Sequence, residues 1–270
     1  MDSPDPTPST ASTPSSAASG RHRRWWQRPS VMSLGATVLL LALAAGWSAW
    51  ELRDAPGRAG GPAAAQGPAG MPWQVQALGD GTSEVFGLRL GRTTLAEVGP
   101  RFERDLRVAL VAPLGQPDAV PALEAYVETF QAGAIQGRLV MAFDAEPGWL
   151  RAALARSPRD TVAGSGGARQ HALSEDDRLQ AQSLVLSALA FVPAARLDEA
   201  TVQARFGAPA ERVTGPEGES QWLYPDRGLA VVLPPAEGDL ARAKAVLQYV
   251  APRDFDTRLR DPLRRAASGG

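Results

Sequence analysis

Gln221-Trp222-Leu223-Tyr224, then Pro225-Asp226-Arg227-Gly228, then Leu229-Ala230-Val231-Val232-Leu233 is the stretch on which the fold turns. Two apolar, β-prone runs flank four residues of turn chemistry, which is the pattern of an antiparallel hairpin. Trp222 and Tyr224 alternate with Leu223, so on a strand they share one face. Just upstream, Leu197-Asp198-Glu199-Ala200-Thr201-Val202-Gln203-Ala204-Arg205-Phe206 reads as a short helix, capped by Asp198 and stopped by Gly207. Downstream, Ala245 to Val250 reads as a last strand that ends before Pro252. Further back, Leu184 to Val192 is a continuous apolar run ended by Pro193. Its length and its Phe191-Val192 end favour a buried strand, with a helix continuing from Glu175 as the competitor. Ser174-Glu175-Asp176-Asp177 carries a helix start, its acidic groups well placed on the helix dipole.

The first half follows a similar plan. Glu84 to Leu90 reads as a strand turning at Gly91, and Thr93 or Thr94 caps a helix over Leu95 to Phe102, interrupted or bent at Gly99-Pro100. Leu106 to Val111 looks like a strand. Leu123 to Phe130 and Gly137 to Phe143 resemble two hairpin arms joined around Gly133. Pro147 opens a short helix, and a Gly-rich break from Ser157 to Gly167 separates the halves. Arg89-Leu90 then Thr94-Leu95 matches Arg196-Leu197 then Thr201-Val202, and each helix ends in Arg-Phe (Arg101-Phe102, Arg205-Phe206). A duplication leaves such a match, and so do two unrelated amphipathic helices. The expected class is α+β, with two helix-plus-antiparallel-hairpin units over 75–156 and 174–264, a linker at 157–173 and a disordered end at 265–270.

The helix ending in Phe206-Gly207-Ala208-Pro209, followed by Trp222-Leu223-Tyr224 and Gly228-Leu229, resembles the SmpA/OmlA-like proteins of outer-membrane assembly and, more broadly, the β-lactamase-inhibitor-protein fold. The resemblance covers roughly fifty residues of the second unit. It implies a binding scaffold and brings no catalytic residues. Lipoprotein members of that family carry an acylatable cysteine, which this chain lacks.

Ahead of the folded halves lies a different composition. Residues 1–28 form a Ser/Thr/Pro-rich tail, expected to be disordered, with a basic flank of Arg21, Arg23, Arg24 and Arg28. Residues 29–50 carry no charge, and the twenty from Val31 to Trp50 would span roughly 30 Å as a helix. Trp25, Trp26, Trp47 and Trp50 fall at the two interfaces, so a transmembrane helix is expected here, contacting the lipid bilayer. A cleaved signal peptide using Ala42-Leu43-Ala44 is the alternative. The arginine bias places the N-terminus in the cytoplasm and the rest in the periplasm of a bacterial inner membrane. Residues 51–74 read as a Gly/Pro/Ala linker.

The chain of 270 residues has 28 Lys plus Arg, 29 Asp plus Glu, two His and no Cys. A net charge of −1 offers no footprint for nucleic acid. Without cysteine there is no thiolate zinc site, iron–sulfur cluster or disulfide framework. A Ser-His-Asp triad would have to use His171 with Ser165, in a loop that lacks the strand–turn–helix setting of a nucleophile. Glu175-Asp176-Asp177 and Asp254 with Asp256 lack a calcium-loop spacing. No catalytic, cofactor or metal residue is therefore expected. Trp222 and Tyr224 either cover the sheet beneath the helix of Val202 and Phe206 or stand exposed as partner anchors. The expectation is a membrane-anchored, non-catalytic periplasmic scaffold with a protein partner, in envelope assembly. The alternatives are a secretion-system inner-membrane linker and a carboxylate-based cell-wall hydrolase.

Overall fold

The computed structural model describes residues 70–268 except 103–104, 117, 159–160 and 163–167. The hairpin forms where the alternation places it: β11 (Ser220–Tyr224) pairs antiparallel with β12 (Leu229–Leu233), Trp222 opposite Val231 and Tyr224 opposite Leu229. Gly228 closes its turn at φ +65°, where a Cβ would collide with the Val250 carbonyl, so glycine is needed twice over.

This hairpin is a small part of one large sheet. Its other strands are β4 (Leu106–Pro113), β5 (Ala122–Ala132), β6 (Ile135–Asp144), β7 (Thr161–Val162), β8 (Ala168–His171), β9 (Val185–Pro193), β10 (Glu211–Thr214) and β13 (Val246–Val250). They lie in the order β10-β11-β12-β13-β9-β6-β5-β4-β8-β7, every neighbour antiparallel. The chain order resolves this into two meanders. Helix α1 (Leu95–Phe102) leads into β4, β5, β6 and β9; a second helix, Glu199–Phe206, leads into β10, β11, β12 and β13. The two fourth strands meet in the middle, with Leu247 opposite Phe191 and Tyr249 opposite Leu189.

Between β6 and β9 the first meander is interrupted by helix α2 (Pro147–Arg156), the β7–β8 pair and helix α3 (Glu175–Ala181); the Glu199–Phe206 helix is α4. A separate three-stranded sheet precedes α1: β1 (Gln76–Ala77), β2 (Ser83–Val85) and β3 (Leu88–Leu90).

The expected class is corrected on two points. The helix-plus-hairpin units do not stand as separate units: the fold is strand-dominated, each hairpin is part of a longer meander, and both halves share one ten-stranded sheet. The physical reason is β9: its burial on both faces is that of a central strand, and it completes the first meander. Secondly, no helix among the described residues is long and apolar enough to cross a membrane, so transmembrane and single-pass character is no part of the observed fold. Residues 29–50, where such a helix was expected, lie outside the described residues.

Smaller expectations also shift. Helix α1 continues through Gly99-Pro100, held by its buried Leu95, Val98 and Phe102. Packing begins before residue 75, since Trp73 meets Phe206 edge to face at 6.2 Å. At the other end, helix α5 (Asp261–Ser268) runs into the stretch expected to be disordered.

One face of the sheet carries the main core. Val202 and Phe206 of α4 pack there with Trp222, Tyr224 and Leu247, each fully buried aliphatic or aromatic side chain contributing about 1.5–3 kcal/mol. Its aromatic centre is Phe86, whose ring lies 5.1 Å from Phe130, 5.6 Å from Phe191 and 5.8 Å from Tyr249. Phe86 sits in the two-residue β2–β3 turn at φ +54°, followed by Gly87 at +70°, a turn geometry that ordinarily selects Asn-Gly. The ring's burial offsets a backbone cost of about 1–2 kcal/mol. On the opposite face, Phe255, Leu259 and Leu263 at the C-terminus cover Ala142, Ala188, Ala230, Leu223 and Val250. Arg258 fixes that segment through both oxygens of Asp144, each at 2.8 Å.

Candidate functional site

At one end of the β9–β13 junction the two central strands part. Pro193 ends β9, and Ala194 to Leu197 carry the chain away to α4, whose first free amides are met by Asp198: its carboxylate accepts from the Thr201 amide at 2.7 Å. The Thr201 side chain first, and then that amide bond, hold the Asp198 carboxyl below the usual carboxylate range. On the other side Pro234-Pro235 stops β12, since neither residue can donate to the ladder, and a loop returns through Ala241 and Ala243 to β13.

Between these walls is a groove of about 360 Å3. Leu197, Pro234, Pro235, Ala241, Ala243 and Ala245 form its sides, with Arg196 and Asp198 at one margin. Arg196 reaches across to the Ala241 carbonyl at 2.6 Å, and the Lys244 ammonium donates to the Ala194 carbonyl. Two long cationic side chains thus bridge the opening by their tips. The chemistry on offer is apolar contact and main-chain hydrogen bonding.

The residues singled out from sequence lie elsewhere. Trp222 and Tyr224 are 1% and 5% exposed, which leaves them core residues beneath α4 and removes them as exposed partner anchors. The Trp222 ring nitrogen donates to the Ser220 hydroxyl at 3.1 Å, and the Tyr224 hydroxyl to the Gly207 carbonyl at 3.0 Å. The Arg212 guanidinium covers the Trp222 ring at 3.7 Å. The alternation was legible, but which face would be buried depended on where α4 packs.

His171 lies on β8 opposite Leu110, its pKa lowered by burial and then by Arg169. Among the described residues no hydroxyl or carboxylate hydrogen-bonds to it, and Ser165 lies outside them. Asp177 is buried as a structural group: it takes Arg156 at 2.5 Å and the Ser174 hydroxyl at 2.5 Å, and Arg156 first, then Ser174, draws its pKa down. Glu175 meets Arg178 at 3.4 Å, and Asp256 meets Arg260 at 2.5 Å. Among the described residues no group of three or more metal-ligating side chains converges.

Sequence reasoning missed two features. One is the groove, whose only trace is the Pro234-Pro235 pair followed by small residues. The other is Glu124, fully buried in β5 between Ala109 of β4 and Ala142 of β6. One oxygen accepts from the Tyr126 hydroxyl and the other has no partner. Burial pushes this carboxyl up to about 7, so near neutrality the protonated acid and the carboxylate are about equally populated.

No family model, no curated protein and no solved structure matches this chain.

Proposed function

We propose that this chain is a non-catalytic interaction scaffold that seats a segment of a protein partner in the groove between Arg196–Asp198 and Ala241–Ala245. The observation that carries this reading is the chemistry of the groove, with its apolar walls, accessible main chain and cations already tied to carbonyls. Such a surface suits the recognition of polypeptide. The resemblance of Leu197 to Pro209 and Trp222 to Leu229 to SmpA/OmlA-like proteins supports the same class, as does a helix followed by a four-stranded meander, occurring twice. Envelope assembly is the setting we propose from that resemblance.

The test is site-specific photocrosslinking of the full-length chain in cells. A benzophenone residue replaces Ala236 at the groove or Leu179, an exposed side chain on α3. The scaffold reading expects one protein captured in near-stoichiometric yield from position 236 and not from position 179. Equal capture from both positions, or no capture from position 236, would overturn it.

A further inference from the structure

We infer that the groove is an unclosed seam of the internal repeat, and that it takes an extended, apolar peptide segment of a partner by main-chain hydrogen bonding. This rests on the scaffold reading and specifies the mode and chemistry of recognition. Its basis is the contrast between equivalent places in the two halves. The helices α1 and α4 both have eight residues and both end in Arg-Phe, which aligns Leu95 with Glu199 and Gly91–Ala96 with Ala195–Ala200. In β9 and β13 the core-facing Leu189 aligns with Leu247, and the extra residue of β9 at Ser187, where the pairing with β6 shifts register, brings Gln182–Leu186 into line with Ala241–Ala245.

In the first half these two segments are stitched together. The Gly91 amide donates to the Leu186 carbonyl at 2.8 Å, and the Leu186 amide to the Thr93 carbonyl at 2.7 Å. The Leu95 amide donates to Leu184 at 3.0 Å, and the Ala96 amide to Gln182 at 2.9 Å. In the second half no main-chain hydrogen bond joins the equivalent segments, and the groove lies between them. Among the described residues, the side chains of Arg196 and Lys244 cross instead.

The same comparison indicates what fits. Where the first half closes, Leu184 and Leu186 supply apolar side chains to the core on a strand-like main chain. In the second half Leu197, Pro234, Pro235 and Ala245 offer the apolar walls. The occupant is therefore an apolar one, matching the lining and the Leu184–Leu186 segment that fills the equivalent place in the first half. Strand addition of this type draws affinity from the main chain and selectivity from alternate side chains.

The experiment uses the full-length chain and a defined probe, the free peptide Gln-Ser-Leu-Val-Leu-Ser that copies residues 182–187. Hydrogen exchange read by mass spectrometry should slow about tenfold over 194–198 and 240–246 with peptide present, and stay unchanged over 91–96, where the amides are already paired. A peptide N-methylated at both leucines should give no slowing, because the methyl groups stand on the edge that carries the two leucine carbonyls and keep the main chains from approaching. The variant Ala243→Trp, which fills the groove, should abolish the effect without lowering the melting temperature. No slowing, or equal slowing by the methylated peptide, overturns strand addition; the scaffold reading stands if position 236 still captures a partner. A position-236 crosslink to this chain itself, within one molecule or between copies, overturns the assignment to a partner.

Discussion

The Tyr249 hydroxyl donates a buried 2.8 Å hydrogen bond to the carbonyl of Pro72, tying the incoming chain to the innermost strand of the second meander. Burial holds the phenol well above its usual pKa, so the donor keeps its proton throughout the physiological range. Tyr249→Phe leaves the Pro72 carbonyl buried and unpaired, a cost of about 1–3 kcal/mol. The expected result is a melting temperature lower by several degrees, with faster proteolytic cleavage near Gly70 than in the parent chain. Unchanged cleavage would show that this bond does not hold the incoming segment.

Trp222→Ala should cost about 3–5 kcal/mol, the usual range for removing a buried indole. The ring is 1% exposed and lies in the core that also contains Val202 and Phe206, and its loss also strands the Arg212 guanidinium stacked on it. Urea unfolding followed by circular dichroism measures the difference. A change below about 1 kcal/mol would contradict the packing described for α4.

Glu124 makes stability fall with rising pH. Its folded pKa of about 7 lies above its ordinary value of 4.5, so the unfolded chain releases this proton first. The contribution is fully present below pH 4.5 and is lost as pH rises through the interval to about 7. Glu124→Gln keeps the shape and removes the titration. Melting temperatures measured from pH 5 to 7.5 should fall less steeply in this variant, and parallel profiles would refute the assignment.

Asp177 works in the opposite direction. Arg156 and Ser174 lower its pKa, so its support is present above the ordinary 3.8 and disappears as pH falls through the depressed value. Asp177→Asn should lower stability at pH 7 and remove part of the acid sensitivity below pH 4. Acid unfolding midpoints for the two chains provide the comparison.

The hairpin Gln221 to Leu233 was legible because turn chemistry and β-prone residues coincide locally. So was β9 as a strand, from the unbroken apolar run Leu184 to Val192. Its partners were not legible. Pairing of Leu247 with Phe191 is a tertiary choice, and the 145–184 excursion hides that β9 closes the first meander. The repeat was half visible: Arg101-Phe102 and Arg205-Phe206 align, but the match of Thr94-Leu95 to Thr201-Val202 is out of step with the helix starts at Leu95 and Glu199. The candidate site left almost no trace, because a seam that fails to close is a missing set of hydrogen bonds rather than a motif. Glu124 stood unremarked in a β-prone run, since nothing local announces that its carboxyl is shut away from water.

The strand β9 reaches its place only after the long excursion, and β13 follows it by more than fifty residues of synthesis. A ribosome-bound chain that has emerged as far as Pro193 therefore holds a six-stranded half of the large sheet whose last strand has a bare ladder along one side. Such an edge invites pairing with a neighbouring nascent copy, and contacts so distant in sequence form slowly. Producing the N-terminal half without Glu211–Val250 should yield aggregates, because the second meander shields the first as well as mirroring it.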